Sequence, residues 1–277
     1  LQRGVNLGRV VVRVSQRNRM AEERQIPSMQ TQSSMHNPGR WRAADLGALI
    51  RLGIDAERGV ALLELHDPER FNTMGAALGD DMARAINELR NRSGIRCLSL
   101  QAAGTVFCAG GNPYGSGGST SFIASSRALV ASVEGFVNVR DLSLPVVCAV
   151  HGAMIGGAAA IFLHADLRIA ETKATFQHGN LSRGVCPVAG YSRTLQDATR
   201  APHARVYYLT DQRVGAAGAL PLGLVHAVHE GVHSTKEHAR YLAGCVAFRL
   251  QSVMAGTIDY RLIEEEAIAH MECQISN

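Results

Sequence analysis

Apolar residues recur along this chain in two patterns. Short continuous runs are typical of buried strands, and stripes with a period near 3.6 residues are typical of helices. The runs at 49–54 and 60–65 flank the polar turn 55–59 and predict an antiparallel hairpin. A helix is predicted over 74–91, because its apolar positions share one face. The folded part of the chain is therefore expected to open with a hairpin followed by a helix.

The middle of the chain alternates between the two patterns. Strands are predicted at 95–101, 146–150 and 166–170, with helices between them at 121–139 and 160–165. Because strands that alternate with helices pair in parallel through right-handed crossovers, this order predicts an α/β fold. A loop-rich stretch and then mainly helical segments are predicted after this, at 176–200, 202–210, 215–220, 236–250 and 258–273.

Two glycine pairs occur where predicted strands end. Gly110 and Gly111 follow one strand, and Gly156 and Gly157 separate another strand from a small-residue helix. A strand-to-helix turn exposes unpaired backbone N–H groups, which can receive a developing negative charge when no side chain blocks them. A tight packing turn is the alternative interpretation. Neither pair has the spacing of a phosphate-binding loop or of a dinucleotide fingerprint.

The composition is that of a globular protein with a sizeable core. Of 277 residues, 46% are apolar and 19% are charged. The net charge of +4 is concentrated at the start, since residues 1–44 hold eight arginines and two glutamates. The remainder is slightly acidic and carries no basic stripe with interleaved aromatic residues. The sequence therefore gives no support for a nucleic-acid partner.

Six cysteines are scattered through the chain without a Cys-x-x-Cys pair. This usage predicts free thiols in a reducing, intracellular compartment, with neither a disulfide framework nor a metal site. No apolar run reaches transmembrane length, so no membrane partner is predicted. Residues 1–44 lack periodicity and are interpreted as a disordered tail or linker. Their arginines and serines leave organelle targeting open.

Five segments in order resemble the crotonase superfamily, also called the enoyl-CoA hydratase/isomerase family. They are 68–72, 107–112, 145–170, 176–195 and 216–225. The resemblance implies a crotonase-like ββα spiral over 45–232 and a C-terminal helical trimerisation region over 233–277, giving a homotrimer or a dimer of trimers. It also implies an acyl-CoA or acyl carrier protein substrate. No separate cofactor is implied, because coenzyme A or phosphopantetheine arrives as part of the substrate.

The resemblance assigns an oxyanion hole. In this family, two backbone N–H groups bind the thioester oxygen as it becomes an enolate, a contribution of about 3–4 kcal/mol per donor. By motif position these donors are Gly111 and Gly157. The residues expected to line the substrate site around them are Phe107, Ala109, Gly110, Gly156 and Tyr191.

The chain departs from the hydratases at both of their catalytic glutamates. Ala160 and Asn180 occupy those positions, and neither side chain can act as a useful acid or base near neutral pH. Val188 stands where the dehalogenase branch has its nucleophilic aspartate. Lyase chemistry is therefore predicted, either decarboxylation of a malonyl- or glutaconyl-type thioester or an atypical hydration or dehydration. The alternatives are an isomerase with one base and a non-catalytic thioester-binding pseudoenzyme.

Five polar residues are candidates for the missing catalytic groups: His178, Asn180, Tyr191, His151 and His270. Packing is the alternative for Tyr191, and a structural role is the alternative for His151. His178 and Asn180 lie in the segment that matches the family's active-site wall. His270 lies in a Glu-rich C-terminal segment similar to crotonase members of polyketide β-branching, whose decarboxylase uses a late histidine; a surface histidine is the alternative. Those decarboxylases also use a lysine after the first oxyanion loop, whereas this chain has no lysine between Gly111 and Lys173.

Overall fold

The structure is a computed structural model, which describes residues 42–44, 47–111, 130 and 133–254. The strands are β1 (Arg42–Ala44), β2 (Ile50–Asp55), β3 (Val60–Leu65), β4 (Cys97–Ala102), β5 (Val146–Val150), β6 (Ala153–Ile155), β7 (Leu167–Glu171), β8 (Thr175–Gln177), β9 (Val214–Gly215) and β10 (Ala227–His229). The helices are α1 (Ala76–Asn91), α2 (Ala158–Leu163), α3 (Tyr191–Thr199), α4 (Ala201–Thr210), α5 (Ala216–Ala219) and α6 (Val232–Met254).

Seven strands form the main sheet, in the order β1-β2-β3-β4-β5-β7-β10. The hairpin prediction is confirmed, because β2 and β3 pair antiparallel from Ile50–Leu65 to Asp55–Val60. From β3 to β10 every neighbouring pair is parallel, as the alternation of strands and helices predicted. The carboxyl ends of these strands therefore lie along one edge, from which both glycine segments depart.

A small second sheet, β6-β8-β9, positions the candidate site. β6 and β8 run parallel, with Ile155 paired to Gln177. The Gly156 N–H donates to the Gln177 carbonyl at 3.1 Å, which extends this pairing by one residue. Residues 177–180, here termed the wall segment, are therefore held directly beside the second glycine pair.

Helices cover both faces of the main sheet. One face carries the large apolar core with α1 to α4, in which Phe162 and Phe176 pack at 5.6 Å between ring centroids. The other face is covered by α6, whose Ala239, Ala243 and Ala247 are fully buried. Because alanines spaced four residues apart share one helix face, α6 can approach the sheet closely.

Several boundaries differ from those predicted. Arg42–Ala44 pairs with β2, so the sheet begins inside the 1–44 segment that was interpreted as tail or linker. The loop-rich interpretation of 176–200 was wrong in part, because α3 occupies Tyr191–Thr199. The predicted helix at 258–273 and residue His270 lie outside the described residues. Within the described part of the chain, no helix is both long and apolar enough to cross a membrane.

Candidate active site

Asn72 anchors the segment that carries the first glycine pair. Its side chain is fully buried, and its Nδ2 donates to the carbonyls of Ala103, Val106 and Phe107 at 2.9–3.1 Å. Its Oδ1 accepts the Asp67 N–H at 2.8 Å. One amide thus supplies the partners that buried backbone groups of an irregular loop require. The sequence analysis placed Asn72 only at the end of the 68–72 motif and missed this function.

The two glycine-bearing segments are joined by backbone hydrogen bonds. The Ile155 N–H donates to the Cys108 carbonyl at 3.3 Å, and the Cys108 N–H donates to Ala153 at 3.4 Å. On the other side, the Met74 N–H donates to the Gly110 carbonyl at 2.8 Å. The first glycine pair is therefore held between residue 74 and strand β6.

Close approach of the two segments requires glycine at position 110. Gly110 has a φ of +84°, and a Cβ there would collide with the carbonyl oxygen of Ile155. The same Cβ position lies 3.5 Å from the nitrogen of Gly157. Gly156 is also left-handed, with a φ of +60°. Any other residue at position 110 would push the two backbones apart.

The N–H groups of Gly111 and Gly157, here termed the glycine site, lie near each other. A Cβ built on Gly157 would be 4.0 Å from the Gly111 nitrogen. Within the described residues neither N–H donates a hydrogen bond, although Gly111 is exposed and Gly157 is half-buried. Two free donors near each other can bind an oxygen that gains negative charge. Their assignment as an oxyanion hole stays a prediction.

In the part of the chain that the structure describes, the side chains nearest the glycine site carry no ionisable group. Met74 Sδ is 3.0 Å from the Cβ position of Gly157. Ala160 is fully buried in α2, and its N–H donates to the Gly157 carbonyl at 3.0 Å. Asn180 Oδ1 is 3.8 Å from the Cβ position of Gly156. The places assigned to catalytic glutamates are thus occupied by a methyl group and an amide.

The Asn180 amide has a defined orientation. Its Nδ2 donates to the Cys186 carbonyl at 3.2 Å, and a flipped amide would place two oxygens against each other there. Its Oδ1 is buried and has no hydrogen-bond partner within the described residues. Asn180 therefore presents an unpaired acceptor towards the Gly156–Gly157 turn.

The predicted lining residues differ in accessibility. The side chains of Phe107 and Tyr191 are fully buried, whereas Ala109 is half-buried. Phe107 donates its N–H to the His151 carbonyl at 2.9 Å, and Ala109 donates to Phe71 at 3.0 Å. Phe107 and Tyr191 thus lie in the core next to the glycine segments, and a direct role in substrate binding stays a prediction.

His178 lies among three tyrosines. It is 1% exposed, stacks on Tyr191 at 4.5 Å between centroids, and meets Tyr208 and Tyr207 edge-on at 4.7 and 5.8 Å. Burial lowers the pKa of His178 to about 4, although the nearby Asp211 opposes the shift. The imidazole is therefore neutral at physiological pH and is a weak base.

Asp211 anchors the wall segment and was missed by sequence reasoning. Its Oδ1 accepts the N–H of Gly179 at 2.5 Å, and its carbonyl accepts from Gln177 Nε2 at 3.3 Å. Partial burial alone would raise the pKa of Asp211, but hydrogen bonds from Ser182 and Gly179 lower it below the usual value. No local motif points to this contact, which joins residues 32 positions apart.

The buried cysteine thiols and His151 have a structural role and no evident catalytic one. Five described cysteines are free, and burial raises the thiol pKa of Cys97, Cys108 and Cys148. Cys186 is exposed. His151 Nε2 lies 2.9 Å from the Gly104 carbonyl, deep in the fold. Among the residues that the structure describes, no cluster of three His, Cys, Asp or Glu could hold a metal ion.

We expect the free energy of unfolding to fall as the pH drops from about 6.5 to 4. Burial lowers the pKa of His178 to about 4, and burial together with Arg168 lowers that of His226 to about 4. Both values lie below that of an unfolded histidine, so the unfolded chain binds more protons in this window. The stabilisation that the two neutral histidines contribute is complete above the pKa of an unfolded histidine, which is about 6.5. Urea unfolding at stepwise pH measures the effect.

A matched pair of variants isolates the contribution of His178. His178→Gln should flatten this pH dependence, whereas His233→Gln, at a side chain that is 68% exposed, should leave it unchanged. A stability that does not vary across the window would contradict the expectation.

Comparisons with known proteins agree with the motifs. A family model described as Enoyl-CoA hydratase/isomerase matches residues 55–255. The probable enoyl-CoA hydratase of Mycobacterium leprae is 30% identical over 173 residues, which is 60% of this chain but only 59% of that relative. The 1,2-epoxyphenylacetyl-CoA isomerase of Escherichia coli is 28% identical over 221 residues, or 74% of this chain and 84% of that protein.

A solved structure supports the fold. The crystal structure of enoyl-CoA hydratase from Bacillus halodurans has a TM-score of 0.67 and 20% identity, covering 82% of this chain and 91% of that one. The prediction of a crotonase-like α/β fold is therefore confirmed, while trimerisation stays a prediction. With a family model that spans most of its length and a matching fold, the chain belongs to the enoyl-CoA hydratase/isomerase family.

Proposed function

We propose that this chain is a lyase that decarboxylates a malonyl- or glutaconyl-type acyl thioester of coenzyme A or an acyl carrier protein. One observation carries the proposal: among the described residues, the N–H groups of Gly111 and Gly157 lie together without a hydrogen-bond partner, while the nearest side chains, Met74, Ala160 and Asn180, cannot accept a proton at neutral pH. The donors suit an enolate oxygen. The neighbours do not suit proton abstraction, which hydration and isomerisation both require.

Decarboxylation forms the enolate without a base. The electrons of the breaking carbon–carboxylate bond move into the thioester carbonyl, and CO₂ leaves. The resulting negative oxygen accepts hydrogen bonds from Gly111 and Gly157. A proton from water then adds to the carbon that lost CO₂, which is the α-carbon of a malonyl thioester and the γ-carbon of a glutaconyl thioester, so each turnover consumes one proton and releases one CO₂.

Two polar residues support this reaction in different ways. The Oδ1 of Asn180, which has no partner within the described residues, can accept a hydrogen bond from a water molecule, which can then pass its other proton to the carbon that lost CO₂. His178, which is buried and neutral, is proposed to support the wall segment instead of exchanging protons. A role of His270 stays a prediction.

A panel of thioesters tests the proposal. The full chain is incubated in deuterium oxide with malonyl, methylmalonyl, 3-methylglutaconyl and crotonyl thioesters of coenzyme A and of a carrier protein. We expect CO₂ release from a carboxylated substrate, with one deuterium added at the carbon that carried the carboxylate, and no hydration of the crotonyl group.

Each other outcome contradicts part of the account. Hydration of the crotonyl group without any CO₂ release would show that the chain is an atypical hydratase and not a decarboxylase. Binding without turnover would favour the non-catalytic alternative. Failure to bind any thioester would rule out an enolate bound by Gly111 and Gly157.

A further inference from the structure

The thiol of Cys108 joins the two ends of the segment that carries the first glycine pair. Its S–H donates to the carbonyl oxygen of Asn72, which lies 2.9 Å from the sulfur. The same sulfur accepts the N–H of Gly110 at 3.4 Å. Cys108 is 0% exposed. One buried side chain therefore connects a carbonyl 36 positions earlier in the chain with an N–H two positions later.

The thiol is the partner of two buried backbone groups. Asn72 and Gly110 are both buried, and within the described residues neither the Asn72 carbonyl nor the Gly110 N–H has another hydrogen-bond partner. A thiol is only a weak donor and a weak acceptor, but in a buried position no water replaces it. Without the thiol, both backbone groups would be left unpaired in the interior.

Gly110 needs a restraint because glycine rotates easily about φ and ψ. The peptide bond between Gly110 and Gly111 is trans and planar, so the Gly110 carbonyl and the Gly111 N–H point in opposite directions. The N–H of Met74 donates to that carbonyl at 2.8 Å. This hydrogen bond therefore also sets the direction of the Gly111 N–H.

The preceding peptide plane is held by Cys108. The Gly110 N–H belongs to that plane and points to the Cys108 sulfur. A side chain that accepts the N–H two residues later forms the same kind of local turn as an Asx or Ser/Thr turn. Gly110 thus has one hydrogen bond on each side of its Cα, and together they hold it at a φ of +84°.

We propose that Cys108 is a positioning residue, which directs the Gly111 N–H to the enolate oxygen by bridging the Asn72 carbonyl and the Gly110 N–H. The backbone of Cys108 acts in the same place, because its carbonyl accepts the Ile155 N–H at 3.3 Å, next to the second glycine pair. This inference rests on the proposed function, since the direction of the Gly111 N–H matters for turnover only if an oxygen binds there.

The thiol itself takes no part in the chemistry. Burial raises the pKa of Cys108 to about 12, although the backbone groups of Gly110 and Met74 oppose this shift. The sulfur therefore keeps its proton at physiological pH and can donate it to a hydrogen bond. A buried thiol that is not ionised is a poor nucleophile.

Alanine and serine at position 108 are a matched pair of variants, because they have nearly the same volume and differ by one hydroxyl. Cys108→Ala removes both hydrogen bonds of the thiol. We expect kcat on the thioester that turns over to fall about 10- to 100-fold with little change in KM, because a misdirected donor weakens mainly the transition state. Cys108→Ser keeps a donor and an acceptor, so it should restore most of the lost kcat.

Cys148→Ala is the control for the loss of a buried thiol. Cys148 is also fully buried, but it lies in β5 of the main sheet, where it pairs with Leu100 and Arg168. This variant should lower the urea midpoint of unfolding and leave kcat unchanged.

Two measurements on the same variants do not depend on turnover. Amide exchange at Gly110, followed by NMR, should be faster in Cys108→Ala than in the unaltered chain and in Cys108→Ser. The S–H stretching band of Cys108 is the infrared band that Cys108→Ser removes. It should lie at a lower wavenumber than the band of a thiol that donates no hydrogen bond.

Different failures lead to different conclusions. Equal losses of kcat in the alanine and serine variants, or an unchanged kcat in Cys108→Ala, would reject the positioning role. If the unaltered chain turns over no thioester, the proposed function fails, whereas unchanged amide exchange at Gly110 in Cys108→Ala would show that the thiol does not hold the backbone. If neither variant folds, a crystal structure of the unaltered chain decides, because a Cys108 sulfur out of hydrogen-bond reach of the Gly110 nitrogen would reject the bridge.

Discussion

The Gly157→Pro variant is expected to keep its fold and to lose turnover by about 100- to 1,000-fold. Proline removes the N–H that would bind the enolate oxygen, so the loss should appear in kcat with little change in KM. The backbone tolerates proline here because Gly157 has a φ of −58° and precedes α2, where its N–H has no intrahelical partner. Steady-state kinetics on the thioester that turns over, with circular dichroism for the fold, measure the effect.

Gly157→Ala is the matched control for this experiment. Alanine keeps the N–H and adds a Cβ 3.0 Å from Met74 Sδ, a flexible side chain that can shift. The alanine variant should therefore retain most of the turnover. A folded proline variant with unchanged kcat would remove Gly157 from the mechanism, and equal losses in both variants would point to crowding by the new side chain.

Local patterning predicted the main sheet well. The runs at 49–54 and 60–65 became the β2–β3 hairpin, and the later alternation became a parallel sheet. Strands β6, β8 and β9 have two or three residues, which is too short for any period to be visible. Helix α3 was missed because its polar positions around the buried Leu195 resemble a loop in composition.

The sequence predicted only those residues of the candidate site that belong to a recognisable motif. The two glycine pairs were visible at the ends of predicted strands, but only the resemblance selected Gly111 and Gly157 as donors, since the local pattern was equally compatible with a packing turn. Asn72 and Asp211 form contacts that span 31–35 positions, and no local property of either residue predicts these contacts.

Asn72→Asp should destabilise the chain by about 3 kcal/mol or more and abolish turnover with it. An ionised carboxylate only accepts hydrogen bonds, so the carbonyls of Ala103, Val106 and Phe107 would lose their donor and face a buried negative charge. The left-handed φ of 50° is not the cause, because aspartate tolerates that region nearly as well as asparagine. Urea unfolding of both proteins gives the difference in free energy.

The same substitution at Asn87 is the control, because Asn87 is exposed on α1, where its Oδ1 accepts a hydrogen bond from Arg90 at 3.4 Å. Asn87→Asp should change stability by less than about 0.5 kcal/mol. If Asn72→Asp behaves like this control, the amide does not hold the first glycine segment. If Asn72→Asp unfolds the chain as expected, the geometry at Gly111 depends on the Asn72 side chain. The glycine site then requires the contacts between residue 72 and residues 103–107.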